Sequence, residues 1–208
     1  MKLFFFVLTA MFLAQNSASY AFQGGGPNNY YSQEKESLKY LKLVEGAHLK
    51  PAIDSMYSGK AVYVLQGGKT GTVYHDLDFV LRWYPNHPKG LLKMAEFLDK
   101  FRGDRTIPHG VSIEKYFNKA FQLYPTDATA RFIHAITLHK KDKHEDALKE
   151  YKHAAALGLD NAEFHYNIGL LYFEMNDLEQ STTHAKKAYS LGYPLPGLQN
   201  KLQERGKW

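Results

Sequence analysis

Ala162-Glu163-Phe164-His165-Tyr166-Asn167-Ile168-Gly169-Leu170-Leu171-Tyr172 has a counterpart 34 residues earlier, Ala128-Thr129-Ala130-Arg131-Phe132-Ile133-His134-Ala135-Ile136-Thr137-Leu138. The register continues. Ser181, Ala185 and Ala188 follow the first stretch where Ala147, Tyr151 and Ala154 follow the second. Small residues at fixed places in a 34-residue period mark a helix–turn–helix unit that stacks on its neighbours. Stacked units of this kind build an extended surface rather than a reaction centre, so the pattern favours binding over catalysis.

Helix limits follow from the same register. Asp142 with Glu145, Asp160 with Glu163, and Asn176 with Glu179 each place an acceptor three residues before a carboxylate, the spacing of a helix start. Gly158 and Gly192 fall where second helices should end. Gly169, Ala135 and Ala95 share one place in three first helices. Ala188, Ala154 and Ala120 share one in the second helices, and Tyr172, Leu138, Phe117 and Tyr151 fill the space between. A bulky residue at Gly169 would overpack that contact, at about 1–3 kcal/mol.

Upstream, Lys89–Phe101 and Ser112–Tyr124 have helical spacing and form an earlier repeat, 88–125, whose loop 102–111 is enlarged by about six residues over the 34-residue standard. Downstream, Pro194 and Pro196 break the pattern. Leu198–Arg205 then forms a last helix, whose Gln199, Lys201, Gln203 and Glu204 suit a polar cap over the end of the stack.

The N-terminal third reads differently. Lys2, the apolar run Leu3–Ala14 and the small residues of Ser19-Tyr20-Ala21 have the form of a secretory signal, residues 1–21. The run is shorter than the ~20 apolar residues of a membrane span. Phe22–Ser32 is rich in glycine and asparagine and reads as a flexible lead-in. Gln33–Leu43 has helical spacing, with Leu38, Leu41 and Val44 on one side, and Pro51 can open a short helix that Gly59 ends. Ala61–Leu65 is β-prone and leads into Gln66-Gly67-Gly68-Lys69-Thr70-Gly71. Gly68-Lys69-Thr70 has the ending of a phosphate-binding loop, but the glycine required five places earlier is Tyr63, so a glycine turn or short hairpin is expected instead. Helical pattern resumes at Asp76, with Leu77, Val80, Leu81 and Tyr84 on one face, and stops at Pro85-Asn86-His87-Pro88.

Composition narrows the function classes. The 208 residues are 44% hydrophobic, 23% charged and 14% aromatic, the balance of a folded chain with ring-rich packing. The absence of cysteine excludes disulfides, cysteine-bound zinc and thiol catalysis. Net charge is +5, with bases and acids interspersed. The densest run, Lys140-Lys141-Asp142-Lys143, reads as a solvated turn, and no nucleic-acid partner is expected.

These residues resemble the tetratricopeptide (TPR) repeat, with the glycine and tyrosine places of the third repeat intact and His165 in the tryptophan place. From about Val44 to Trp208 the chain resembles a family of small exported bacterial TPR proteins. The likeness rests on Gly71 leading into Asp76-Leu77-Asp78-Phe79, on Leu81-Arg82 and Tyr84-Pro85-Asn86-His87, and on Leu195-Pro196-Gly197-Leu198 with the terminal Gly206-Lys207-Trp208. Ala61–Gln66 is an insertion relative to that pattern. The resemblance implies an all-α, short TPR helical-repeat solenoid. Its parts are a signal peptide (1–21), an N-terminal extension (22–87) and a repeat domain (88–208) with repeats 88–125, 128–161 and 162–195 and a capping helix 196–205. The signal form of residues 1–21 implies export to the periplasm or beyond, and since no other segment is apolar enough to span a bilayer, no membrane span is expected after signal cleavage.

In the TPR register the inner face comes from the first helices. The residues expected to line a partner-binding groove are Leu92, Glu96, Phe132, Ile133, Ile136, His139, Tyr166, Asn167, Leu170 and Phe173. A helix or an extended peptide is the natural ligand of such a face. Asn167 has the residue type of a carboxylate clamp, but Leu92, Glu96, Ile133 and Glu163 hold its other places, so that mode is not expected. Two occupants fit the face: a separate protein, or residues 30–80 of the same chain, since large apolar patches are rarely left open.

His134 and His165 occupy motif places and are expected to pack. His139 and His144 flank a turn without a ligand spacing, so neither metal nor cofactor is expected. No catalytic constellation is recognisable. The expected function is a non-enzymatic adaptor or scaffold in the bacterial envelope that binds a protein or peptide. The alternative is an accessory ligand-binding or enzymatic role for the glycine-rich loop with His75, Asp76 and Asp78.

Overall fold

A computed structural model describes residues 28–64 and 70–208. The expected signal, the first half of the lead-in and most of the glycine turn lie outside the described residues. The chain divides into two compact units, Met1–Pro125 and Thr126–Trp208.

The first unit begins with α1 (Lys35–Val44), one π-helical turn (Glu45–Leu49) and α2 (Lys50–Tyr57). Leu41 and Val44 face inward as the spacing predicts, whereas Leu38 is exposed. Pro51 sits in the first turn of α2, where its missing N–H costs no helix bond. Gly59, at φ 72°, ends the segment. The expected hairpin is present. Strand β1 (Val62–Val64) pairs antiparallel with β2 (Thr70–Thr72), in register Val62↔Thr72 and Val64↔Thr70. Thr72 then caps α3 (Val73–Trp83) by accepting from His75 N–H. Helix α4 (Pro88–Lys100) packs on both α3 and α5 (Ile113–Leu123). The pair read as the first repeat thus folds within the same unit as the extension. Its core holds Leu77, Val80, Leu81, Leu91, Met94, Phe97 and Phe117, all almost fully buried.

The lead-in is not free at its far end. Asn28 N–H donates to Trp83 O, Tyr30 N–H to Asn86 Oδ1, and Asn86 Nδ2 to Asn29 Oδ1. The buried Tyr84 hydroxyl donates to Ser37 O. Asparagine side chains here satisfy backbone N–H groups of the lead-in, Asn86 that of Tyr30 and Asn29 that of Tyr31.

The second unit is two helical hairpins and a last helix: α6 (Ala128–His139) with α7 (His144–Ala156), α8 (Ala162–Glu174) with α9 (Leu178–Ser190), then α10 (Gly197–Glu204). Helix α8 packs on both α6 and α7. Ala135, Ala147, Tyr151, Ala154, Phe164, Ile168 and Leu171 form one core with Phe132 and Leu138. The shared small residues therefore do what the register implies.

Helix starts differ by one place from the expectation. The caps are Asn161 and Asp177, accepting from Phe164 and Gln180 N–H, while Lys143 precedes α7 with no side-chain cap bond. Asp142 and Asn176 instead adopt φ 56° and 61°. They close the preceding helices, a role short polar side chains tolerate because they can bond locally in the left-handed region. After the second helices glycine takes this role. Gly158 and Gly192 have φ 93° and 86°, and Leu159 and Tyr193 N–H bond back to Ala154 and Ala188 O.

Candidate functional site

Among the expected groove residues, Leu92 and Glu96 lie on α4 of the first unit. Leu92 is half-buried. Glu96 accepts from Lys93 Nζ at 2.6 Å. Burial opposes the charge on that amine, but Glu96 and Tyr57 outweigh it and hold the Lys93 pKa above its ordinary value.

The other eight lie in the second unit, and they do not form one open trough. Phe132 and Ile133 are buried, and Phe132 stands 6.0 Å from the rings of both Tyr151 and Phe164. Phe132 is a core residue, because the inward turn of α6 carries it toward α7 and α8. Tyr166, Leu170 and Phe173 pack instead on the cluster formed by Ala185, Leu198 and Leu202. Tyr166 also stacks on Tyr193 at 3.9 Å, and Lys201 and Arg205 sit over the Phe173 ring. The inner face of α8 is thus filled by α10 of its own chain. Sequence reasoning gave that helix an end-capping role, but its docking side is not periodic with the repeats and could not be read from them. Ile136 and Asn167 are half-buried on successive first helices; Ile136 packs on the core around Phe132, and Asn167 Nδ2 donates to Glu163 O.

His139 meets Glu174 across the hairpins, Nε2 to Oε2 at 2.9 Å, with His144 close by. That juxtaposition was missed. The signal was present in the register, since His139 and Glu174 hold adjacent places at the ends of successive first helices.

The remaining histidines pack and pair. His165 lies between Asp160 and His184, with an Nδ1–Nδ1 distance of 2.8 Å, and the Tyr172 ring stacks on His184 at 5.5 Å. Burial, reinforced by His165, pushes the His184 pKa down. His134 and Arg131 both reach Glu150. Burial works against that carboxylate's charge, but these two partners prevail and hold its pKa below the ordinary range.

Asp76 and Asp78, offered for the alternative role, have partners within the first unit. Asp76 pairs with His48, whose ring stacks on Phe79 at 4.1 Å. Burial raises the Asp76 pKa while His48 draws it back. Asp78 accepts from Arg82 Nε and from the Tyr116 hydroxyl, both at 2.9 Å. His75 is exposed and pairs with Thr72 beside it. His87 is buried, accepts Gly90 N–H at Nδ1 and faces Glu45 at Nε2. Asp76 thus ties α3 to the π-helical turn and Asp78 ties it to α5.

Paired antiparallel helices stacked at a fixed period define the class: this is an all-α helical-repeat protein. Residues 136–176, from the last turn of α6 to just past the end of α8, match the family model for the TPR repeat. Among solved structures, the crystal structure of MamA overlaps 74% of this chain and 84% of its own, at 18% identity and TM-score 0.49. A thermophilic TPR protein of Thermus thermophilus overlaps 92% of this chain and 97% of its own, at 17% identity and TM-score 0.49. YrrB, a TPR protein with an unusual peptide-binding site, overlaps 62% and 66%, at 14% identity and TM-score 0.47. No curated protein matches the chain. Among the described residues, no helix is long and apolar enough to cross a membrane.

Proposed function

We propose that the protein is a non-enzymatic interaction adaptor that binds a protein or peptide on the inner face of its TPR hairpins, and that it works in the cell envelope after export. The observation that carries the reading is the pair of stacked hairpins in Thr126–Trp208, matched to the TPR repeat over 136–176, whose first helices carry the half-buried Ile136 and Asn167 at the edge of a buried core. Such a face takes an apolar anchor together with a backbone-reading amide, the chemistry of helix or extended-peptide recognition. The filled face of α8 narrows the binding surface to the α6 side and the hairpin ends. The form of residues 1–21 supports export.

Photo-crosslinkers placed at Ile136 and at Asn167 should capture the same envelope protein. One at the exposed Lys152, on the second helix α7, should not. Equal capture at all three positions, or adducts only within the chain, would defeat the adaptor reading. Chain recovered from the envelope fraction should begin at Phe22, and a retained Met1 would remove the export half of the proposal.

A further inference from the structure

His139 is the last residue of α6, His144 the first of α7 and Glu174 the last of α8. Chain folding brings these helix ends together, and one donor atom from each lies within 4.8 Å of the other two. Glu174 Oε2 is 2.9 Å from His139 Nε2 and 3.5 Å from His144 Nε2. His144 Nε2 is shielded from solvent and makes no hydrogen bond. The rings of His139 and His144 stand edge to face, 5.8 Å apart. The His139 ring, only 12% exposed, is backed by the buried ring of Tyr151.

An N–H at His139 Nε2 accounts for its contact with Glu174 but leaves His144 Nε2 shielded and unbonded, an arrangement that costs free energy. A cation at the common point satisfies all three donors. Two imidazole nitrogens and one carboxylate oxygen are a borderline donor set, matched to Zn²⁺ rather than to Mg²⁺ or Ca²⁺. Bonds of 2.0–2.1 Å in a tetrahedral site place donors about 3.3 Å apart, and the two contacts to Glu174 Oε2 bracket that spacing. Closing the third separation needs rotation of His144 and Glu174, whose side chains are 26% and 44% exposed and so have room to turn.

We infer that His139, His144 and Glu174 bind a zinc-class divalent ion that clips the ends of the two hairpins. Three protein donors leave a fourth position for water or for Asp142, whose Oδ1 is 3.9 Å from His144 Nε2. The ion ties the turn after α6 to the end of α8, so it stabilises the folded chain by mass action.

The test is Zn²⁺ titration of the untagged, chelator-stripped full chain by calorimetry, with Co²⁺ absorption as a second readout. One Zn²⁺ should bind, raise the melting temperature and give a tetrahedral Co²⁺ spectrum. His139→Ala and His144→Ala should each weaken binding on the order of 100-fold, and Glu174→Gln, which keeps the side chain's shape, by at least roughly tenfold. His153→Ala, at an exposed histidine, should change nothing. Mg²⁺ in place of Zn²⁺ should leave the melting temperature unmoved. Zn²⁺ affinity equal in the wild type and in Glu174→Gln, or no melting shift with Zn²⁺, overturns the inference.

Discussion

Gly169→Ala isolates the contact that seats the last helix. The new methyl carbon would lie 2.8 Å from Leu198 Cδ2, 3.4 Å from His184 Cβ and 3.5 Å from Ala185 N. Leu198 has no exposed surface, so its methyl cannot swing into water and must push on Leu202 and its neighbours. Overpacking of this kind costs about 1–3 kcal/mol. Alanine in a helix interior recovers about 1 kcal/mol over glycine. The net expectation is a loss of roughly 0–2 kcal/mol, too narrow a margin to decide the matter alone. Leu198→Ala separates the two effects. By itself it should cost about 2–5 kcal/mol as a buried leucine deletion. In its background the clash is gone, so Gly169→Ala should stabilise by about 1 kcal/mol. Urea unfolding of the four chains gives the cycle. With Trp83→Phe in every chain, Trp208, packed edge-on to Tyr189 at 5.5 Å, reports on the second unit. A coupling below about 0.5 kcal/mol would mean the two sites act independently and would refute the seating argument.

Two further outcomes follow from the second unit. His184 is held neutral by burial and by His165, so its folded pKa lies below that of the unfolded chain, about 6.5. Its contribution is complete above that value and is lost as pH falls toward the folded pKa, because the unfolded chain takes up the proton first. The urea midpoint should therefore drop between pH 7.5 and 5, and His184→Gln should remove part of the drop; an unchanged slope would contradict it. Leu198→Asp places an unpaired carboxylate at a fully buried site and should detach α10, exposing Tyr166, Leu170 and Phe173. Light scattering should show self-association and a hydrophobic dye should bind, whereas a dye-silent monomer would show the cap still in place.

The repeat core was legible because it depends on one number, the period. Gly169, Ala135, Ala154 and Ala188 sit where that period requires, and the helix limits follow within about a turn, the ordinary uncertainty of helix ends. The glycine turn was legible as a hairpin from β-prone residues flanking glycines. Asp142 and Asn176 misled because an acceptor three places before a carboxylate can start one helix or finish another. Only backbone φ distinguishes the two, and it is positive at both. The anchored lead-in was hidden because glycine and asparagine composition gives no hint that Asn28 and Asn29 meet the end of α3. The groove was overread. The register places Phe132 and Tyr166 on the inner side of a helix, but what lies against that side is decided by a nonrepeating segment. The His139–Glu174 contact joins residues of different type at adjacent places of the register, so the period brings the two helix ends together without naming the pair.

Gly169 also acts as an address. Shifted back by one period, the seat of α10 would comprise Phe132, Ala135, Ile136 and Tyr151 in place of Tyr166, Gly169, Leu170 and Ala185. Ala135 presents there the very carbon that Leu198 has no room for at Gly169, and Tyr151 stands where Ala185 leaves space. A folding chain therefore has two hairpins in the same register on which to place its last helix, and they differ at these contact places. The missing methyl at Gly169 and the small side chain of Ala185 together favour the second copy as the terminal one, guarding a repetitive sequence against closing one unit too early.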